Sequence, residues 1–279
     1  MFLFIIILGI LIGSILLYLY LIMPNLTRRR DMVPFLGRDY AHRGLHNANA
    51  LVPENSMPAF KEAVKRNLAI ELDIHITRDN QVVVFHDDTL DRICGVPGTI
   101  EEYTLAELRN LHLLGTAERI PLFSDVLDYI DGRVPLLVEL KLPSRDMRLC
   151  AYAWELLKDY RGKFLIQSFN TLGVRWFYKN APHILRGQLS SALTRSDRKP
   201  HYLFRLCVQF LLTNILCRPD FISYKLADSE NLSLLLVHRL FHTPIAVWTL
   251  RTPKAYQKAH HQFDMYIFEL PAKTASYTH

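Results

Sequence analysis

Nine short apolar runs are strung along residues 39–270, separated mostly by stretches of helical spacing. They are DYAHRG (39–44), AIELDIHI (69–76), VVVFHD (82–87), PLLVELK (135–141), FLIQSF (164–169), ILRGQLS (184–190), DFISYK (220–225), IAVWTL (245–250) and MYIFEL (265–270). Helix signals fall between them. SMPAFKEAVKRN carries Pro58 early, an apolar stripe at Phe60, Ala63 and Val64, and Asn67 as a left-handed terminator. TLAELRNL opens on Thr104 with Glu107 three residues on, a capping-box pattern. Strands alternating with helices predict a parallel sheet or an α/β barrel. One interval breaks the rule, because only TRDNQ (77–81) separates the second run from the third. Parallel neighbours need a crossover of a dozen or more residues, so this pair is a hairpin with Asp79-Asn80 at its tip. Setting VVVFHD aside leaves eight parallel strands, the number that closes an α/β barrel.

The second run also places charge. Glu71, Asp73 and His75 alternate with Ile70, Leu72, Ile74 and Ile76, the period of a strand with acids on one face and aliphatics on the other. PLLVELK repeats the device with Glu139 and Lys141, again two apart. Three carboxylates from two strand ends suit an oxygen-seeking divalent cation, Ca²⁺ or Mg²⁺. Solvated edge-strand faces, or a plain Glu139–Lys141 ion pair, are the structural alternatives. A turn centred between Asp79 and Asn80 would set His86 opposite Asp73. His42-Arg43-Gly44 closes the first strand, at the end where barrels hold their sites. Arg43 offers a planar fork to phosphate oxygens. His42 and His86 form a pair able to exchange protons near neutral pH.

Phe2 to Met23 contains no charge. At about 1.5 Å per residue it is long enough for a hydrocarbon core of about 30 Å. Neither a basic n-region nor a small-residue cleavage site is visible, which favours a retained single-pass anchor over a cleaved signal peptide. Tyr18 and Tyr20 suit an interfacial aromatic belt, and Arg28, Arg29 and Arg30 place the following domain in the cytoplasm by the positive-inside rule. The expected organisation is an anchor (1–23), a linker (24–38) and a barrel domain (39–279). Residues 203–217 form a second apolar segment, too short to span, read as a barrel helix; contact with the membrane, aided by Arg205 and Arg218, is the sharper alternative. The net charge of +6 is scattered after the first 40 positions, without the basic stripe of a nucleic-acid binder; an anionic small molecule or membrane surface fits it better. Four cysteines without metal-ligand spacing read as reduced thiols.

In order along the chain, HRG (42–44), PEN (53–55), ELD (71–73), HD (86–87), ELK (139–141), QSF (167–169) and VWT (247–249) resemble the motifs of the glycerophosphodiester phosphodiesterase family, over about residues 38–271. The resemblance implies a TIM-type barrel with a divalent metal, cleaving glycerophosphodiesters to glycerol 3-phosphate and an alcohol. It implies Glu71, Asp73 and Glu139 as metal ligands, His42 and His86 as the acid/base pair, and Arg43 and Lys141 on the phosphate. It also implies Trp248 as a wall for glycerol or the leaving alcohol, a core tryptophan being the alternative, and Glu54 and Asn55 as ordering the rim. The sequence departs from the family at Leu250-Arg251, usually Val-Asn, and at DMYIFE (264–269), usually Asp-Gly-Ile-Ile-Thr-Asp. These departures put the substrate in question. A lysophospholipid at the membrane is the alternative substrate, and a non-catalytic phosphodiester-binding module the alternative role.

Overall fold

The computed structural model describes residues 1–47, 51–195 and 201–269. All nine expected strands form: β1 (Asp39–Ala41), β2 (Ala69–Ile76), β3 (Val82–Val84), β4 (Leu136–Leu140), β5 (Phe164–Ser168), β6 (Arg186–Ser190), β7 (Phe221–Lys225), β8 (Ile245–Leu250) and β9 (Met265–Phe268). Leu270, expected to end β9, lies outside the described residues. The helices are α1 (Phe2–Ile22), α2 (Met57–Lys65), α3 (Asp91–Cys94), α4 (Leu105–Leu108), α5 (Phe123–Ile130) and α6 (Arg148–Leu157), followed by α7 (Thr171–Asn180), α8 (Tyr202–Gln209), α9 (Asn214–Cys217), α10 (Leu232–Phe241) and α11 (Pro253–Gln262).

The sheet runs β1-β9-β8-β7-β6-β5-β4-β2 and closes through a parallel β1–β2 pairing, an eight-stranded parallel barrel with β3 as an antiparallel extra strand beside β2. Period-2 alternation then sorts the core into two layers. Ile70, Leu72, Ile74 and Ile76 of β2 face outward, against the apolar sides of α2, α5 and α6. Tyr40, Ala69, Leu137, Leu165, Phe221, Ala246 and Ile267 fill the barrel interior. Met32 and Phe35 join this inner cluster, so residues ahead of β1 form its floor. Tyr40 locks that floor by donating its hydroxyl to the Phe35 carbonyl at 3.1 Å.

The segment after β2 carries its own small core, with Val83, Phe85, Leu90, Ile93, Ile100 and Leu108 packed together. The register of the hairpin differs from expectation by one residue. Ile74 pairs with Val84 and the Phe85 amide donates to the Asp73 carbonyl at 3.0 Å, so Phe85, not His86, stands opposite Asp73. The loop is the cause. Thr77 and Gln81 are bonded across a three-residue turn centred on Asp79, rather than between Asp79 and Asn80, and Asn80 takes φ +62°. The terminal signals hold: Asn67 takes φ +55° just after α2, and Thr104 with Glu107 forms the reciprocal box. The cysteines are free thiols.

Helix α1 is long and apolar enough to cross a membrane, and fits a signal sequence as well as an anchor. Its last turn packs on the barrel, where Asn214 Nδ2 donates to the Ile22 carbonyl at 2.8 Å. Arg218, which only the alternative reading gave to membrane contact, donates to the carbonyls of Tyr20 and Met23. Arg28 is likewise engaged, donating to the Pro182 carbonyl and lying 3.9 Å from Asp220. Residues 203–217 form two helices rather than one, with a turn at Leu211 in the left-handed region (φ +57°).

Candidate active site

His42, Arg43 and Lys141 lie just beyond the carboxyl ends of β1 and β4, Glu71, Asp73, Glu139 and Trp248 lie within β2, β4 and β8, and His86 follows β3. The β2–β4 register sets Asp73 beside Glu139, and Glu71 lies two residues earlier on the same inner face. Ligand oxygens of Glu71, Asp73 and Glu139 all lie within 4.8 Å of one another, and all three side chains are buried. Burial pushes the Glu71 carboxyl well up, and the negative charges of Asp73 and Glu139 push it further. Burial also raises Glu139; Lys141 opposes this and Asp73 adds to it. For Asp73, burial is outweighed by Lys141, His86, Arg43 and the Asn55 amide, which hold it well below the carboxylate range. Lys141 is the main counter-charge: its ammonium lies 2.9 Å from Asp73 Oδ1 and bonds Glu139. The ion pair is therefore real, but Lys141 and Arg43, the latter 3.7 Å from Asp73 and shared with Glu54, face three acids.

The HRG turn holds this cluster from the β1 side. Arg43 takes φ +56° and its amide donates to Glu71 Oε2 at 3.0 Å. Gly44 takes φ +76°, and a Cβ there would meet Ala59 Cβ and the Phe60 ring at 2.9 Å, so only glycine fits the approach to α2. The Arg43 side chain bonds Glu54 at 2.6 Å and reaches to 3.7 Å from Asp73. Asn55, also at positive φ, donates to Asp73 Oδ2 at 2.9 Å. Glu54 and Asn55 thus order the rim.

His42, Arg43, Glu71, His86, Glu139 and Lys141 share one cavity of about 780 Å³, with Trp248 on its wall. Trp248 also packs against the inner core and meets Phe169 edge-on at 5.9 Å, so wall and core roles coincide. Burial lowers His42 to about 4, against the raising effect of its hydrogen bond to Glu269 at 3.4 Å. His86 places Nδ1 2.7 Å from Asp87 Oδ1.

Several supporting residues escaped the sequence reading. Arg92 braces two carboxylates at once, Glu54 at 2.7 Å and Asp87 at 2.6 Å. His75, which the sequence left without a role, is fully buried, bonds Glu101 at 3.0 Å and lies 3.5 Å from the His86 carbonyl. The two family departures meet: Arg251 bonds Glu269 at 2.7 Å, and Glu269 holds His42. Burial would raise Glu269, but His42 and Arg251 together hold it at about 2. Sequence signals existed for Asp87, in the HD pair, and for Arg251 and Glu269, as departures; Arg92 had none.

Among the described residues, two other groups also place ligand atoms within 4.8 Å of one another, His42–His46–Glu269 and Glu54–His86–Asp87. In both, an arginine already neutralises the carboxylates. Glu71, Asp73 and Glu139 instead present an all-oxygen, under-neutralised set, the donor chemistry that a hard divalent cation fits.

A closed parallel barrel with acids and imidazoles gathered at the strand C-termini defines a (β/α)₈ barrel of the kind that carries enzyme sites. The chain belongs to the glycerophosphoryl diester phosphodiesterase family, whose model matches residues 42–267. It is 34% identical over 161 residues to a glycerophosphodiester phosphodiesterase of Caldanaerobacter subterraneus, covering 53% of this chain and 65% of that one. It is 34% identical over 170 residues to human lysophospholipase D GDPD1, covering 56% and 51%. The matched stretches thus span less than two thirds of these curated relatives. The fold resembles an Oleispira antarctica phosphodiesterase solved with its product sn-glycerol-3-phosphate (TM-score 0.66, 22% identity, covering 85% and 94%). It also resembles the Thermotoga maritima glycerophosphodiester phosphodiesterase (TM-score 0.64, 23% identity, covering 82% and 93%).

Proposed function

We propose that this chain hydrolyses glycerophosphodiesters to glycerol 3-phosphate and an alcohol, with a divalent cation, Ca²⁺ or Mg²⁺, held by Glu71, Asp73 and Glu139. The observation that carries this reading is the under-neutralised acid cluster, of which Glu71 and Glu139 line one cavity with His42 and His86. When bound, such a cation supplies Lewis acidity toward a phosphate oxygen and a neighbouring glycerol hydroxyl. Arg43 and Lys141 bind the phosphate and offset charge that develops on it. His42, kept neutral by burial, takes the proton of the glycerol hydroxyl as its oxygen bonds phosphorus. His86, oriented by its contact with Asp87, protonates the departing alkoxide. Water then opens the resulting cyclic phosphate with the two roles reversed. Trp248 walls the glycerol or leaving-alcohol side. The barrel domain (39–279) carries this site, and α1 is a membrane anchor ahead of it.

A panel of glycerophosphodiesters assayed with Ca²⁺, Mg²⁺ or chelator tests the proposal, with His42→Ala and Glu71→Ala as controls. Metal-dependent release of glycerol 3-phosphate, lost in both variants, is expected; hydrolysis indifferent to chelator would refute it. The anchor reading and the name of the human relative favour a second substrate, a lysophospholipid. Faster turnover of micellar lyso-lipid than of its soluble glycerophosphodiester counterpart would rank that substrate first. Clear ligand binding with no cleavage under any metal would leave a binding module.

A further inference from the structure

Helix α1 is fixed to the barrel by its last turn, and the contacts give its direction. Arg218 donates to the Tyr20 carbonyl at 3.2 Å and the Met23 carbonyl at 2.7 Å, with its guanidinium 4.8 Å from the Tyr20 ring centre. Arg218 precedes β7 and so lies at the floor end of the barrel. The Tyr18 hydroxyl lies 2.7 Å from Ser233 Oγ. Ser233 is in the first turn of α10, which follows β7 and therefore begins at the mouth end. From Met23 back to Tyr18 the helix climbs from floor to mouth, and residues 2–17 continue in that direction, all exposed.

Length then decides where a membrane would lie. Residues 2–17 reach about 24 Å at 1.5 Å per residue, short of a hydrocarbon core of about 30 Å. Even with the mouth end of the barrel flush against the headgroups they reach only most of the way across, and any standoff of the barrel shortens that reach further. The one hydroxyl among them suits lipid, because Ser14 donates to the Ile10 carbonyl within the helix at 2.8 Å.

The mouth end has the surface such contact requires. The C-terminal end of α8 is tied to it, with the Gln209 carbonyl accepting from the Tyr224 hydroxyl at 3.0 Å and from Asn231 at 3.3 Å. The other end of α8 presents Tyr202, Leu203 and Phe204 to solvent at 58%, 71% and 43% exposure, and Leu232, opening α10, is 62% exposed. On the same β7–β8 side, Lys225, Lys254 and Lys258 are exposed on the cavity rim, at the height of anionic headgroups. At the opposite end Arg28 is turned onto Asp220 and the Pro182 carbonyl.

We infer that the mouth face of the barrel docks on the bilayer that receives α1, with Tyr202, Leu203 and Phe204 of α8 at the lipid interface. The cavity then opens toward the lipid surface. This rests on α1 being membrane-inserted and is independent of which diester is cleaved.

The test is spin-label accessibility in the full chain, reconstituted in nanodiscs of phosphatidylcholine with phosphatidylglycerol. Labels are placed one at a time through Leu11→Cys, Leu203→Cys and Val33→Cys, with Cys94 and Cys207 replaced by serine. Position 11 should relax with oxygen, as in hydrocarbon. Position 203 should be about fivefold less accessible to a water-soluble nickel chelate than position 33 at the floor, as interfacial burial requires. Equal nickel accessibility at 203 and 33, or a reversed order, overturns the docking geometry; an aqueous label at 11 overturns the insertion on which it rests. Neither outcome depends on diester hydrolysis, which is assayed separately.

Discussion

Glu71 is the residue on which the site turns. It is buried and receives a backbone amide from Arg43, while two other carboxylates push its proton affinity up. A cation that relieves this repulsion must stabilise the fold. At a hundred times its dissociation constant a ligand stabilises by about 2.7 kcal/mol, or roughly 5–10 °C in Tm for a chain of this size. Ca²⁺ or Mg²⁺ should raise Tm by that order in the parent and by much less in Glu71→Gln; equal shifts in both would place the metal elsewhere. Gly44→Ala should cost about 2–4 kcal/mol, combining left-handed strain with overpacking against Ala59 and Phe60, as read by chemical denaturation. His42 predicts a pH dependence. Its folded pKa is depressed to about 4 from 6.5, so the stability it contributes is complete above 6.5 and lost as pH falls toward 4. The Tm difference between parent and His42→Asn should narrow across that window as pH is lowered; a difference that widens would contradict the burial of a neutral imidazole.

At the scale of elements, legibility in the sequence follows the range of the interaction. The pairing of acids on β2 and β4 could be read because a strand's period is local, and the barrel count because TRDNQ is too short for a crossover. The hairpin register could not, because the turn depends on distant partners. Asp79 accepts from Thr77 and also from the Leu105 amide, which draws the loop into a three-residue form and moves Phe85 opposite Asp73. His86 still lines the cavity because the chain leaves β3 after Val84. Arg92 was invisible for the same reason: its partner Glu54 lies 38 residues away on another loop. This brace joins the loop before α2 to the segment carrying His86, so Arg92→Ala should lower kcat roughly tenfold through misplacement of His86. Metal affinity from a stability titration should be unchanged; weakened metal binding with kcat preserved would contradict the positioning role.

Across the whole molecule, the residues ahead of β1 are more than a tether. Met32 and Phe35 plug the barrel floor, and α1 is pinned along the β7 side, leaving the mouth as the open end. Everything chemical gathers there, so the account depends on where a cation and a phosphate settle within that mouth. Crystals soaked with Mn²⁺ and glycerol 3-phosphate provide the most direct measurement, through the anomalous signal of the metal. One Mn²⁺ peak is expected among Glu71, Asp73 and Glu139, with phosphorus between it and the His42 and His86 imidazoles. A peak on His42–His46–Glu269 or Glu54–His86–Asp87, or phosphate bound away from both imidazoles, would contradict it.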